Sequence, residues 1–364
     1  MVNEDFLTRK ECTAMKGIAI LGIMLHNYCH WLTGIVRENE YNWQMWKTDR
    51  LWTVLCNTDD LLPMHLISFF GHYGVPVFLF LSGYGLVMKY ENSRNLKKRQ
   101  TQPVGIWRFI RYNYLKLFRI LIVGFVLFTL FDAFTPGIHR YKLSEAVAIL
   151  GMYANFFEHP SDVVWPGPYW YFSVTMQLYI FYRLVMYRTH WVFVVLLIFV
   201  CWMWQEFFLD DNVLLERLRY NFVGGMLPFG MGVLVGHWSM SSALHWSLTS
   251  KQQLRLKILT LVVSIGLTLL MSFYAQAWLW IPVFIVTGTI ALVKLIPKQV
   301  FPYVVWLGTI SAAIFVTHPL VRKIFVRPYI REDMYAGLLL YVAATILLSW
   351  YVKKLINEIA CPRL

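Results

Sequence analysis

The chain has 364 residues, of which 58% are hydrophobic and only 15% are charged, and its mean hydropathy is +0.52. This composition excludes an ordinary soluble domain, because apolar runs recur that are long enough, at about 20 helical residues, to cross a hydrocarbon core of about 30 Å. A net charge of +13 can indicate a nucleic-acid partner, but the basic residues lie between the apolar runs. They are better interpreted as topology signals, so no nucleic-acid partner is expected.

Ten apolar segments are predicted to cross the membrane as helices. In chain order they cover residues 15–32, 73–88, 114–134, 169–187, 191–208, 222–238, 258–274, 277–295, 303–320 and 335–352. The sequence therefore predicts an all-α polytopic membrane protein with about ten transmembrane helices, forming one integral membrane domain over residues 1–364. The lipids of the bilayer are its expected surroundings.

Segment 143–157 is too short and too polar for an eleventh span, and we interpret it as an interfacial or re-entrant helix. With ten spans and both termini in the cytoplasm, about 22 of the 33 Lys and Arg residues lie inside; with eleven, only about 18 do. Four of the basic residues left outside cluster in one external segment, either because they bind an anionic acceptor or because the last two spans are misplaced. They are Arg322, Lys323, Arg327 and Arg331.

Two histidines interrupt the first predicted span, in the stretch KGIAILGIMLHNYCHW. If Lys16 marks the membrane edge, His26 lies roughly 15 Å deeper, near the middle of the bilayer, and His30 is one helical turn further on the same face. Ionisable residues within a span are costly unless they face a polar interior, and imidazole suits proton abstraction near neutral pH. A histidine that only bonds a neighbouring helix is the alternative.

Five blocks of sequence, in order, resemble the acyltransferase 3 family of integral membrane enzymes. They are KGIAILGIMLHNYCH, GHYGVPVFLFLSGYGLVMKY, LKLFRI, PYWYFSVTMQLYIFYRL and LGTISAAIFVTHPLV, and they extend from about residue 15 to residue 321. The resemblance implies transfer of an acyl group, with acetyl as the default, from acyl-CoA to a hydroxyl of a carbohydrate or glycolipid. Acyl-CoA is then a co-substrate, and no bound cofactor is expected.

The resemblance also suggests roles for particular side chains. It implies that the catalytic histidines come from His26, His30 and His318, with either His26 or His30 as the base. One residue fewer separates Lys16 from His26 than in the family, and Asn27 is therefore in helical register with Lys16. Acyl-CoA binding is expected at Lys16, Arg111, Lys116 and Arg119. The acceptor or cavity residues are expected to be Ser82, Trp170, Gln177, Tyr179 and Asn27.

Two departures leave alternatives open. The fourth block has Thr175 and Gln177 where many family members have a carboxylate, so a carboxylate would have to come from elsewhere. His318 precedes Pro319, which is expected to end regular helical hydrogen bonding, and a histidine that only caps a helix is an ordinary alternative to a catalytic one.

Three functions are considered, and the five ordered blocks favour the first. The first is an O-acyltransferase of the bacterial inner membrane that modifies surface polysaccharide. The second is a multi-span transporter or flippase for glycans or lipid-linked sugars, in which the histidines relay protons. The third is a family relative that binds a lipid-linked sugar without catalysis. The five cysteines form neither a CxxC pair nor a metal-ligand pattern, so neither a disulfide framework nor a metal is expected.

Overall fold

The computed structural model describes residues 6–92, 104–240, 249–325 and 333–363, and 77% of these residues are helical. No strand is found in these four ranges. The helices are α1 (Arg9–Cys29), α2 (Met45–Cys56), α3 (Leu62–Phe70), α4 (Gly74–Tyr90), α5 (Ile106–Ala133), α6 (Leu143–Leu150), α7 (Pro160–Val163), α8 (Trp170–Phe181), α9 (Trp191–Phe207), α10 (Asn212–Arg219), α11 (Phe222–Met240), α12 (Ser250–Met271), α13 (Ala275–Trp278), α14 (Ile281–Val293), α15 (Phe301–Thr309), α16 (Ser311–Phe325) and α17 (Met334–Glu358).

Helix α1 lies at the centre of the bundle. It begins with a capping box, in which the Thr8 side chain accepts from the Glu11 backbone N–H and Glu11 accepts from that of Thr8. Glu11 also pairs at 3.0 Å with Lys294, just beyond the end of α14. Further along, α1 packs against α3, α4, α15, α16 and α17. The residues on α1 are therefore surrounded by helices from both ends of the chain.

Helices α4 and α11 approach each other closely through glycines. A Cβ atom on Gly83 would overlap the carbonyl oxygen of Phe229, and one on Gly232 would overlap that of Phe80. Small residues allow membrane helices to pack backbone against backbone, which favours association where no hydrophobic effect drives it. This contact fixes one wall of the bundle.

Four helical stretches are long and apolar enough to cross a membrane. They are 62–90, which continues from α3 into α4, and the helices α5, α12 and α17; counting the bent pair of α15 and α16 as one span raises the number to five. Helices α9 and α14 are apolar but shorter. The fold is thus all-α with four to five candidate spans among the described residues, and the ten predicted spans are not confirmed.

The predicted span 303–320 is wrong as a single straight helix. The structure divides it at Ile310 into α15 and α16, which meet at a bend of 71°. The Thr309 hydroxyl donates to the carbonyl of Trp306 at 2.7 Å, and such a local side-chain bond competes with helical pairing. The expectation that Pro319 ends the helix is also wrong, because α16 continues to Phe325 through a turn that is buried on nearly every side.

Segment 143–157 is consistent with its interpretation as an interfacial or re-entrant helix. Its helix α6 has 8 residues, which is about 12 Å, far less than a hydrocarbon core requires. Met152 follows with a left-handed backbone (φ 58°), and a short 3₁₀ turn covers Ala154–Phe156. The segment turns back before it can cross.

Candidate functional site

His26 is buried on α1, and its ring is held by the chain segment that crosses behind it. The Nδ1 atom lies 2.7 Å from the carbonyl oxygen of Ser68 on α3. Because a carbonyl can only accept, Nδ1 must carry the hydrogen, and in the neutral ring Nε2 is then unprotonated. The sequence predicted a chemically active histidine here, and the structure supplies a group that fixes its tautomer.

The crossing behind His26 requires a glycine. A Cβ atom on Gly71 would lie 2.6 Å from the carbonyl oxygen of Gly22 and 2.6 Å from the Cβ of His26. Any larger residue would push the two backbones apart or displace the histidine. Gly71 therefore allows the α3 backbone to come close enough for Ser68 to orient the ring.

Glu38 brings a carboxylate beside the two histidines. It lies in the segment between α1 and α2, with its Oε1 atom 3.8 Å from Nε2 of His26 and 3.2 Å from Nδ1 of His30. Burial alone would raise the pKa of this carboxyl, but the imidazoles of His26 and His30 outweigh it and hold the pKa below its ordinary range. No spacing rule marks Glu38 in the sequence, because the loop must fold back over α1 to bring it there.

Both predicted histidines of α1 thus meet the same carboxylate. Their ring centroids are 4.7 Å apart, as expected for residues one helical turn apart. His30 follows the end of α1 and directs Nδ1 toward Glu38, whereas His26 has Nε2 nearest to this carboxylate, and both histidines line the cavity described next. The contact that distinguishes His26 is the Ser68 carbonyl, which leaves its Nε2 as the ring nitrogen that can accept a proton.

A cavity of about 170 Å³, here called the histidine cavity, opens in front of His26. Its lining includes Asn27, Trp31, Glu38, Glu40, Tyr41, His72, Trp165, Trp170, Tyr220 and Arg322. Tyr41 and Tyr220 stack with ring centroids 4.1 Å apart, and Trp170 meets each edge-on at 5.6 Å. The predicted wall residue Trp170 lines this cavity, together with two tyrosines that the sequence analysis did not single out.

Arg322 brings a buried positive charge to this cavity. Its Nη1 atom donates to Oδ1 of Asn27 at 2.9 Å, and its guanidinium lies 4.9 Å from the ring centroid of Trp31. Arg322 is one of the four basic residues that violated the predicted topology. Of the others, Lys323 forms an ion pair with Asp132, and Arg327 and Arg331 lie outside the described residues.

Glu40 lines the same cavity and differs electrostatically from Glu38. Burial, and then the negative charge of Glu38, raise the pKa of the Glu40 carboxyl to about 8. Its backbone carbonyl accepts from Nε of Arg219 at 2.7 Å, which fixes the loop. The pKa values of the two carboxyls in this cavity are thus shifted in opposite directions.

A second cavity of about 300 Å³, the lysine cavity, lies beside the first. Three lysines line it, Lys16, Lys89 and Lys116, together with the predicted residues Ser82 and Tyr179, whose hydroxyls are 3.5 Å apart. Three ammonium groups around one cavity attract an anionic ligand. Two of the four residues predicted to bind acyl-CoA, Lys16 and Lys116, are therefore brought together.

Four side chains line both cavities, and the place where they lie is here called the constriction. Ile23 of α1, Val75 of α4, Tyr171 of α8 and Phe315 of α16 line both cavities. Each comes from a different helix, so the constriction depends on the packing of the whole bundle. These four side chains therefore stand between the histidines of one cavity and the lysines of the other.

The remaining predicted site residues do not line either cavity. His318 is fully buried on α16, with Nδ1 3.0 Å from the carbonyl of Ile314. The amide of Gln177 donates to Asn221 and accepts from the backbone of Phe222, so it ties α8 to α11. Arg119 donates to the carbonyl of Ile359, and Arg111 lies exposed on α5.

Comparison with known families identifies one match. A family model described as an acyltransferase domain, that of the acyltransferase 3 family, matches residues 10–354. This range covers nearly the whole chain and confirms the resemblance seen in the five sequence blocks. Comparisons with curated proteins and with solved structures gave no match.

Proposed function

Because the chain belongs to the acyltransferase 3 family, we propose that it moves an acyl group, with acetyl as the default, from acyl-CoA to a hydroxyl of a carbohydrate or glycolipid. Membership indicates an acyltransferase, and the apolar helices indicate a membrane protein. The observation that carries the proposal is the meeting of a lysine cavity and a histidine cavity at one constriction.

The lysine cavity is the proposed site of the CoA end of the donor. Lys16, Lys89 and Lys116 supply ammonium donors for phosphate oxygens by charge-assisted hydrogen bonds. With the phosphates held there, the thioester reaches the constriction. Acyl-CoA is a cytoplasmic metabolite, so this cavity would face the cytoplasm of a bacterial inner membrane, with both termini on that side.

The histidine cavity is the proposed site of the acceptor. Its aromatic walls, formed by Tyr41, Trp170 and Tyr220, offer flat apolar faces and polar edges of the kind that suit sugar rings. Arg322 provides a buried cation that would stabilise negative charge on the acceptor or on the thioester oxygen during reaction. Surface polysaccharide or its lipid-linked precursors fit this description.

In the proposed reaction, Nε2 of His26 takes the proton of the acceptor hydroxyl while that oxygen attacks the thioester carbonyl carbon. The carbon–sulfur bond then breaks, the ester forms, and the leaving thiolate takes the proton back from the imidazolium as free CoA. Glu38, 3.8 Å from Nε2, stabilises the imidazolium in between. Proximity and proton transfer in a shielded cavity provide the acceleration.

The deciding experiment measures transfer of label from radiolabelled acetyl-CoA to a glycan extract by protein in lipid vesicles. The parent is compared with His26→Ala, His30→Ala and His318→Ala, with His159→Ala as a matched control on an exposed loop. We expect a loss of about 10²- to 10⁴-fold with His26→Ala and none with the control. Full activity of His26→Ala would overturn the assignment of the base, and glycan crossing the vesicle unmodified would favour the transporter.

A further inference from the structure

His26, His30 and Glu38 form a cluster with the composition of a metal site. One nitrogen from each histidine and one carboxylate oxygen all lie within 4.8 Å of one another. Across the four described ranges, no other group of three His, Cys, Asp or Glu side chains gathers in this way. The sequence gives no sign of the cluster, because Glu38 comes from a loop.

The spacing suits a small divalent ion of the zinc class. Zinc binds histidine nitrogen and carboxylate oxygen at about 2.0–2.2 Å in tetrahedral geometry, so neighbouring ligand atoms lie about 3.3 Å apart. The Oε1 atom of Glu38 is 3.2 Å from Nδ1 of His30 and 3.8 Å from Nε2 of His26. Two histidines one helical turn apart are a common zinc pair. Small side-chain shifts would complete the geometry.

The surroundings of the cluster also suit metal binding. Ligating histidines usually donate their second ring nitrogen to a carbonyl or carboxylate, and His26 does so to Ser68. The Oε2 atom of Glu38 is buried and has no hydrogen-bond partner among the described residues. One carboxylate oxygen thus remains free to join the coordination. The fourth position would face the histidine cavity, where water can occupy it.

We propose that His26, His30 and Glu38 bind one Zn²⁺-class ion, and that the bound ion inhibits acyl transfer. The ion would bind Nε2 of His26, the same atom that receives the acceptor proton, so metal and proton transfer exclude each other. The inhibition rests on the proposed function, whereas the binding does not. Free zinc would thereby control the activity through the site itself.

The binding is tested by calorimetric titration of ZnCl₂ into purified, chelator-treated protein in detergent. We expect one ion per chain. Loss of only an outer-shell partner of a metal ligand already costs about 10- to 100-fold in affinity. Loss of a ligand itself should cost no less, so His30→Ala and Glu38→Gln should each weaken zinc binding by at least tenfold. His237→Ala is the matched control, because His237 and Glu91 form a half-buried pair of the same chemistry, at 3.2 Å, that offers only two ligands. Gel filtration and circular dichroism establish that each variant is folded.

The inhibition is tested by measuring acyl transfer at increasing zinc. Supporting results are a fall in transfer that follows occupancy in the parent and its recovery with a chelator. Absence of saturable zinc binding, or equal zinc affinity in the parent and both ligand variants, would overturn the proposed metal site. Acyl transfer in zinc-free buffer would still support the proposed function. Undiminished acyl transfer at saturating zinc, or a loss of acyl transfer when a chelator removes zinc, would overturn the proposed inhibition.

Discussion

The Oε1 atom of Glu38 lies 3.2 Å from Nδ1 of His30 and so connects the loop after α1 to the last turn of that helix. The same oxygen faces His26 at 3.8 Å. The carboxylate therefore holds one histidine in place and stabilises charge on the other.

Glu38→Gln is expected to lower kcat for acyl transfer by about 10²-fold, because the imidazolium of His26 loses its countercharge. The KM for acyl-CoA should stay near the parent value, since Glu38 does not line the lysine cavity. Steady-state kinetics in vesicles with acetyl-CoA varied at saturating acceptor measure both constants. A change confined to KM would contradict a role in proton transfer.

Lys16→Ala and Lys116→Ala are each expected to raise the KM for acyl-CoA by about five- to tenfold, with kcat little changed. Each variant removes one proposed charge-assisted hydrogen bond to the phosphates of acyl-CoA. A tenfold change in affinity corresponds to about 1.4 kcal/mol of binding free energy. The effect should shrink at high salt, because accessible charges are screened. Lys257→Ala, on α12 and away from both cavities, serves as the matched control. Equal rises in KM for all three variants would show that the overall positive charge of the protein, and not these two lysines, attracts acyl-CoA.

Val75→Phe is expected to abolish transfer while leaving CoA binding intact. An aromatic ring added at the constriction blocks the passage between the cavities, but the lysines that hold the phosphates are untouched. Equilibrium binding of CoA and label transfer are measured on the same preparation. Val262→Phe places the same ring on an exposed face of α12 and should be neutral. Parallel loss of CoA binding in Val75→Phe would show that the two cavities are not separable.

Glu40→Gln is expected to flatten the pH dependence of stability in chelator-treated protein. The pKa of Glu40 is raised from 4.5 to about 8 by burial and by Glu38. The folded chain therefore holds a proton that the unfolded chain has released, and stability falls as pH rises from about 4.5 to about 8. Thermal unfolding of parent and variant in detergent from pH 5 to pH 9 measures this. An unchanged slope in the variant would assign the decline to another group.

Local periodicity accounts for what the sequence could predict of the site. His26 and His30 lie on one face because a helix repeats every 3.6 residues, and Lys16 and Lys116 lie beside apolar runs that mark membrane edges. Glu38 could not be predicted, because its position depends on how a loop folds over α1. Gln177 is in the right helix but turns to Asn221, a choice made by tertiary packing.

The fold likewise has features that local sequence predicts and features that only tertiary packing determines. Apolar composition was enough to predict an all-helical membrane protein, since hydropathy is a property of the chain itself. Bends in a helix depend on how it packs against neighbouring helices. The sequence therefore did not predict the break at Ile310 or the continuation of α16 through Pro319. Arg119 shows a similar limit, since its carbonyl partner at Ile359 is distant in the chain.

The constriction has a consequence for the membrane as a whole. Of its four side chains, Ile23, Val75 and Phe315 offer no polar atom and Tyr171 offers a single hydroxyl, so an ion that passed between them would lose most of its hydration shell without a replacement. Two water-accessible chambers can therefore meet inside one protein without a conducting pore. A cell that modifies material across such a barrier would keep its electrical potential and its proton gradient while acyl groups cross.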